Sequence, residues 1–596
     1  MGLGGIFGFF FSSKTMSGED IINIIDVLKN FGKDGYGIAY IKDGELRIER
    51  HIRYKRFVEL ISNIQIEGIS IGACRQAIYG RPALVNTPPH TDCNGKIVVV
   101  ARGVLRNQGK IREQLMERGH ILEGKDISEI IAHEIEDYSS RRRNIDEVVK
   151  EIYGVLDGMY SALILDMVGN KLYLLCRETS EYIGKFDKGF MACSEYDAII
   201  GGTSDLMRID KGVVCIDGAQ LRCIGKTDIV NIGEVRKSKV PGGFDYYMER
   251  EMAEIPWILK FQNIAQKNEY IGLATRLIES ARRIYMIGSG SSYNAALYGA
   301  YVINELSDVE PIAQNATEFI YFMLKRVKAG DVIIANSQSG ETSDVLRAVS
   351  KSRLRGALII GVLNMLGSPL MFASNVYIPI AAGIENAIPA TKTFVAQVYT
   401  FSKIALGLMG KKSEYSRELN EAIGKIPELT RFVLEESKKV VKSFAELIKN
   451  INSAFVLGRG VSFPIALEGA LKLKEVAQVH AEGIDAGEFR HGSKTLLGWG
   501  YPVVVMVPQD LEAREDTYAL IDEIKNITKI LILTNKADPF ADKFSKFVVK
   551  IPVVPEIFAP ILYVIVLQEL ALCLGKLRGT PIDMPPMLEK FVILSK

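Results

Sequence analysis

Twice along this chain a short, apolar strand-like run leads into a glycine turn and then into a helix pattern, and this grammar limits the possible folds more than any other feature. The first copy is Arg283 to Ile287, followed by Gly288-Ser-Gly-Ser-Ser292. The second, about 170 residues later, is Ala454 to Leu457 followed by Gly458-Arg-Gly460, and an internal duplication of one domain is the simplest account. Further strand signals follow each copy. They are Asp331 to Asn336, Ala357 to Leu363 and Val376 to Ile380 after the first, then Pro502 to Pro508, Lys529 to Thr534 and Phe547 to Ile551 after the second. Strands alternating with helices predict an α/β doubly wound parallel sheet in each copy.

Open sheets of this kind bind ligands beyond the carboxyl ends of their strands. Ser337-Gln-Ser-Gly-Glu-Thr342 falls at such an end. Ser337, Gln338, Ser339 and Thr342 offer hydroxyls, an amide and backbone N–H groups at a helix start, and Gly340 lets a ligand approach the backbone, which suits a phosphate. The loop lacks the Gly-Lys-Ser/Thr of a nucleoside triphosphate site, and a serine-rich capping turn is the plainer alternative. In the second copy Glu468, Lys472 and Glu475 recur at i, i+4 and i+7, on one face of a helix that Pro464 can open. His491 lies just beyond. Two carboxylates, an amine and a histidine beside a strand-to-helix loop can move protons, although the same spacing also describes a salt-bridged surface face.

Residues 1–225 read mostly as strands, among them 97–101, 160–165 and 171–175, with helical patterns over 19–30 and 127–138, and predict an α+β layered domain. Residues 226–245 are polar, end in Pro241-Gly-Gly243 and read as a linker. The expected organisation is therefore 1–225, a linker over 226–245, then α/β domains over 246–425 and 426–596. With 73 basic and 71 acidic residues there is no electrostatic footprint for a nucleic-acid partner. The apolar run Ile6 to Phe11 is too short to span a bilayer and reads as a buried strand, so no membrane partner is expected. Seven scattered cysteines without a C-x-x-C pair fit a reducing cytoplasm and suggest neither zinc nor a disulfide framework. His90 with Cys93 supplies too few ligands for a metal.

The segments Ser289-Gly-Ser-Ser-Tyr-Asn294, 337–342, Ala390-Thr-Lys-Thr-Phe394, the run LGRGxxxPIALEGALKLKE over 457–475 and Ala486-Gly-Glu-Phe-Arg-His-Gly492 together resemble the tandem sugar-isomerase (SIS) domains of the glucosamine-6-phosphate synthase family. The N-terminal third resembles the same family's glutamine-hydrolysing, N-terminal-nucleophile domain. The resemblance implies a homodimer acting on fructose 6-phosphate without metal or organic cofactor. It implies that Ser292, Ser337, Gln338, Ser339 and Thr342 hold the phosphate. His491, reaching over from a neighbouring subunit, assists ring opening, and Lys590 forms a Schiff base. Glu475 moves the proton between C1 and C2, and Glu468 and Lys472 complete the charge network. A Schiff-base lysine requires its pKa, about 10.4 when free, to be lowered.

Several positions depart from the family pattern. Ser289 and Ser291 replace a cysteine and a threonine, Ala390 replaces a serine, and the tail reads Pro585-Pro-Met-Leu-Glu-Lys590 in place of Pro-Arg-Asn-Leu-Ala-Lys. The nucleophilic cysteine position holds Gly4. In the glutamine pocket Phe31 stands for an arginine, Gln76 and Tyr79 for a tryptophan and a histidine, and Arg102 for the oxyanion asparagine, while Arg75 is kept and Asp126 is the nearest match to the glutamine-binding aspartate. Glycine offers no nucleophile, and Cys74 aligns with a threonine. The expectation is an amino-sugar synthase supplied with ammonia, free or from a partner. The alternatives are a sugar-phosphate isomerase or deaminase alone, and a non-catalytic sugar-phosphate sensor or regulatory subunit.

Overall fold

The computed structural model describes residues 4–78, 80–140, 144–195, 198–199, 205–218, 220–232, 243–266, 268–409 and 414–588. The chain divides into two compact units, Met1–Asp245 and Tyr246–Lys596.

The first unit is built around the strand Gly5–Ser17, which pairs antiparallel with Gln65–Arg75 on one side and Gly189–Cys193 on the other. Its apolar run is buried on both faces, and the strand period of two decides what each side chain meets. Phe7, Phe9 and Phe11 face Ile21, Ile25 and Leu28 of the helix Gly18–Leu28. Ile6 and Phe10 turn the other way, into an apolar layer shared with Val98, Val100, Leu163 and Leu165. The opposite face of that second strand layer carries Val99, Ala101, Tyr160 and Ala162 against Ile130, Ile131 and Ile135 of the helix Ile127–Ser139. The long strand Lys171–Phe186 joins the layers, pairing first with Gly158–Asp166 and further along with Gly189–Cys193. The result is the expected α+β stack of helix, sheet, sheet, helix. The expected linker differs in part. Asp228–Ile232 is a strand paired with Asp205–Asp217, because Ile229 supplies an apolar contact to the inner layer within an otherwise polar segment. Residues 233–242 lie outside the described ones.

The second unit contains two five-stranded parallel sheets of the same order. In the first, Ile284–Gly288 lies between Ile312–Asn315 and Val332–Ser337, followed by Leu358–Leu363 and Val376–Pro379. In the second, Ser453–Gly458 lies between His480–Asp485 and Val503–Met506, followed by Ile530–Asn535 and Val548–Ile551. Each chain path leaves its first strand toward one edge and returns on the other side. The switch point of each sheet is therefore beside its first strand, where α/β folds bind ligands. A single apolar core unites the sheets, with Met286 and Ile334 of one and Val456 and Val504 of the other sharing it with Leu567 and Leu570. The latter two belong to the helix Ala559–Arg578. Its apolar stretch is long enough to cross a membrane, but 94% of that window is buried inside the protein, which makes it the core helix of this unit.

Candidate active site

The helix Phe463–Ala477 starts with proline in its first turn and turns Glu468, Lys472 and Glu475 toward the first sheet. Glu468 and Lys472 are fully buried, whereas the Glu475 side chain keeps 17% of its surface exposed. The Lys472 ammonium is 3.4 Å from Glu468 Oε1 and donates to Glu475 Oε2. It also donates to Ser291 Oγ at 3.2 Å, and Ser291 in turn donates to Glu468 Oε1 at 2.9 Å. Asn294 Nδ2 donates to Glu468 Oε2 at 2.9 Å. Burial pushes the Glu468 carboxyl above its usual range, against the pull of Lys472. Burial also opposes the charge on Lys472, but Glu475 and Glu468 together more than offset it and hold the amine above its usual value. The amine thus stays charged and orients Glu475, the one member of the trio that reaches solvent.

Ser291 and Asn294 come from the start of the helix Ser291–Leu306, which follows the first strand of the first sheet. Next to it, beyond Val332–Ser337, the loop 337–342 closes on itself. Ser337 Oγ accepts from the Gly340 N–H at 3.1 Å and lies 3.0 Å from Thr342 Oγ1, and Ser339 Oγ accepts from the Glu341 N–H at 3.1 Å. Asn336 Nδ2 donates to the Ser292 carbonyl at 2.8 Å, and Gln397 Nε2 to Ser292 Oγ at 3.0 Å, so the two serine loops are tied together at the switch point. Gly340 has φ +66°, and a Cβ there would stand 2.1 Å from Ser368 Oγ. A Gly340→Ala variant must adopt a left-handed residue costing about 1–2 kcal/mol or abandon the loop conformation, so the phosphate binding expected of this loop from its sequence should weaken roughly 5–30-fold. Titration with inorganic phosphate measures this.

In the first unit Gly4, Gln76 and Arg102, three of the positions that depart from the family pattern, line one cavity of about 20 Å³ together with Arg75, Gly103 and Asp126. That is room for one water. Gly4 sits at φ +87°, and a Cβ on it would lie 2.9 Å from the Cys74 carbonyl. Arg102 is held in a buried pair with Glu181 at 2.7 Å. Arg75 Nε donates to Asp126 Oδ2 at 3.1 Å. The Cys74 thiol is buried, and burial raises its pKa well above the usual thiol value.

The SIS-domain family profile matches residues 277–406 and 447–574, which contain both sheets. Curated relatives named glutamine–fructose-6-phosphate aminotransferase [isomerizing] include those of Thermococcus kodakarensis and Pyrobaculum aerophilum. Each is 31% identical, over 99% of this chain and 99% of the relative. The chain belongs to the glutamine–fructose-6-phosphate aminotransferase family. Among solved structures, the C-terminal domain of glucosamine-fructose-6-phosphate aminotransferase from Francisella tularensis is 26% identical. It covers 57% of this chain and 99% of its own, with a TM-score of 0.52.

Against this family pattern the structure brings Glu468, Lys472 and Glu475 into one network, and Ser292 beside the loop of Ser337, Gln338, Ser339 and Thr342. His491 ends the short turn Glu488–His491, exposed, and among the described residues it takes no part in the trio's hydrogen bonds. Lys590 and Tyr79 lie outside the described residues. The chain leading to Lys590 is fastened near the trio. Thr580 Oγ1 donates to the Val476 carbonyl, next to Glu475, at 2.5 Å, and the Asp583 carboxylate accepts from the N–H groups of Tyr247 and Met248 at 2.8 Å each. Sequence reasoning missed Asn294 and Gln397 as supports. Asn294 carried a readable signal, since it stands i+3 from Ser291 on one helix face. Gln397 carried none, because it reaches Ser292 from a distant helix, Lys392–Met409.

Proposed function

We propose that this protein converts fructose 6-phosphate and ammonia to glucosamine 6-phosphate and water, and that it no longer hydrolyses glutamine. The observation that carries the first half is the buried Glu468–Lys472–Glu475 network held beside a phosphate-type loop, in a chain of this family. The sugar phosphate binds loop 337–342 and Ser292. His491 of the partner subunit in a homodimer assists ring opening. The Lys590 amine condenses with the open-chain ketone at C2, releasing water, and ammonia displaces it, so that the lysine is regenerated. Glu475 takes the proton from C1 and returns it at C2. The sum exchanges one oxygen for one nitrogen and needs no external oxidant, reductant or cofactor.

The second half is supported by Gly4, whose backbone angle and contact with Cys74 leave no place for a side chain, and by the water-sized cavity around it. Cys74 is no substitute, since its buried thiol resists ionisation. Nitrogen then comes from free ammonia or a partner, and a cytoplasmic location suits this metabolism.

The test supplies purified protein with fructose 6-phosphate and either glutamine or ammonium, and quantifies amino sugar. Product with ammonium alone is expected. Product from glutamine at a comparable rate overturns the loss of glutaminase. Absence of product in both tubes, with fructose 6-phosphate still bound, moves the protein to the sensor class.

A further inference from the structure

Cys93, His120, His133 and Glu136 converge in the first unit, with one ligand atom from each within 4.8 Å of the others. We propose that these four residues bind a structural zinc ion. Cys93 lies in the turn before the strand Ile97–Leu105, and His120 in the loop after the helix Gln108–Glu117. His133 and Glu136 stand one turn apart on the helix Ile127–Ser139. Four of the six ligand-to-ligand separations have the lengths a tetrahedral site needs. Cys93 Sγ is 3.6 Å from His120 Nδ1 and 3.5 Å from His133 Nδ1. Glu136 Oε2 is 3.2 Å from His120 Nδ1 and 3.3 Å from His133 Nδ1.

Zinc with bonds of about 2.3 Å to sulfur and about 2.0–2.2 Å to nitrogen and oxygen requires tetrahedral edges of about 3.5 Å (S to N) and about 3.4 Å (N to O). All four measured edges fit. Each Nδ1 lies within 3.2–3.6 Å of both the sulfur and the carboxylate oxygen, the spacing that a shared central cation gives. The other Glu136 oxygen accepts from Asn94 Nδ2 at 2.5 Å, and the Cys93 N–H donates to Oε2 at 3.0 Å, which fixes the carboxylate's orientation. A set of one thiolate, two imidazoles and one carboxylate favours zinc and leaves no open position, so the site is structural and not catalytic. The ion ties the strand turn and the helix-joining loop to the helix Ile127–Ser139. That helix begins at the cavity lined by Asp126 and Ile127.

The full-length protein, purified without a polyhistidine tag, is loaded with zinc, dialysed against metal-free buffer and analysed by elemental mass spectrometry. One retained zinc per chain is expected, with at least an approximately tenfold loss of affinity in Cys93→Ser and in His133→Asn. Cobalt loading provides the second readout, a thiolate-to-cobalt absorption band that disappears in Cys93→Ser. Cys93 is exposed, so that serine variant is expected to keep its fold by circular dichroism, and it serves if His133→Asn does not fold. Wild-type protein that retains no zinc overturns the proposal. So does a Cys93→Ser variant that holds zinc as tightly as wild type with an unchanged cobalt spectrum.

Discussion

Glu475→Gln is expected to lower turnover of fructose 6-phosphate by about 10²–10⁴-fold, the usual contribution of a positioned general base. Its KM should move little, because the loop 337–342 proposed to hold the phosphate lies on another element. The amide keeps the shape of the carboxylate and still accepts from Lys472, but it removes the largest charge that offsets the burial of Lys472, so the melting temperature should fall and turnover is compared below it. Glu475 is singled out over Glu468 by access. Glu468 is fully enclosed by Lys472, Ser291 and Asn294, whereas Glu475 retains an exposed edge on which a substrate carbon can be reached. Steady-state kinetics, with exchange of the C1 hydrogen for solvent deuterium, tests this. Unchanged turnover and exchange would reassign the proton transfer to another group.

Lys472→Met should act on stability as well as activity. Removing one partner from a buried charge set costs about 3–5 kcal/mol, because the remaining charge is left without compensation. Here Glu468 is the group left behind. A Lys472→Met/Glu468→Gln double variant is therefore expected to recover much of the loss, since Gln can still meet Ser291 and Asn294. The pH dependence has a definite sign. Glu468 already has a raised folded-state pKa, so its titration favours the folded protein below its ordinary unfolded value and that contribution fades as pH rises through the folded pKa. Losing Lys472 raises the folded pKa further. The single variant should thus lie closest to wild type in acid and fall furthest behind it at neutral pH and above. Denaturant melts at several pH values measure the difference, and a destabilisation that does not vary with pH would point to lost packing instead.

The parts legible in the sequence are those governed by local pattern. The buried strand Gly5–Ser17, the helix Ile127–Ser139 and the central strands of both parallel sheets follow from runs and periods that are complete in one dimension. The edge strands Ile312–Asn315 and His480–Asp485 were not legible, because a four- to six-residue run with mixed polarity becomes a strand only when a neighbour supplies its ladder. The helix Ala559–Arg578 was missed for a different reason. Enclosed on all sides, it shows no polar face and so no helical period. At the site, the i, i+4, i+7 spacing correctly gathered Glu468, Lys472 and Glu475. The question it left open, surface or interior, was settled by Ser291 and Asn294 arriving from far away in the chain. Cys93 illustrates the same limit. Paired with its sequence neighbour His90 it looked like half a site, while His120 and His133 join it only through the packing of a loop and a helix.

The two sheets share one strand order but not one task. In the proposed reaction the first copy provides the anion-holding loop and the second the proton-moving helix, and the bonds from Ser291 and Asn294 to Glu468 run between them. On that proposal neither half would be an enzyme alone, and the polypeptide would act as a heterodimer whose subunits are joined in one chain. A coding change in either half is filtered through the other. Drift in the Gly458-Arg-Gly460 turn, counterpart of the first serine loop, should carry less risk than drift in the loop proposed to meet substrate, so the repeats are expected to age at different rates along their own lengths.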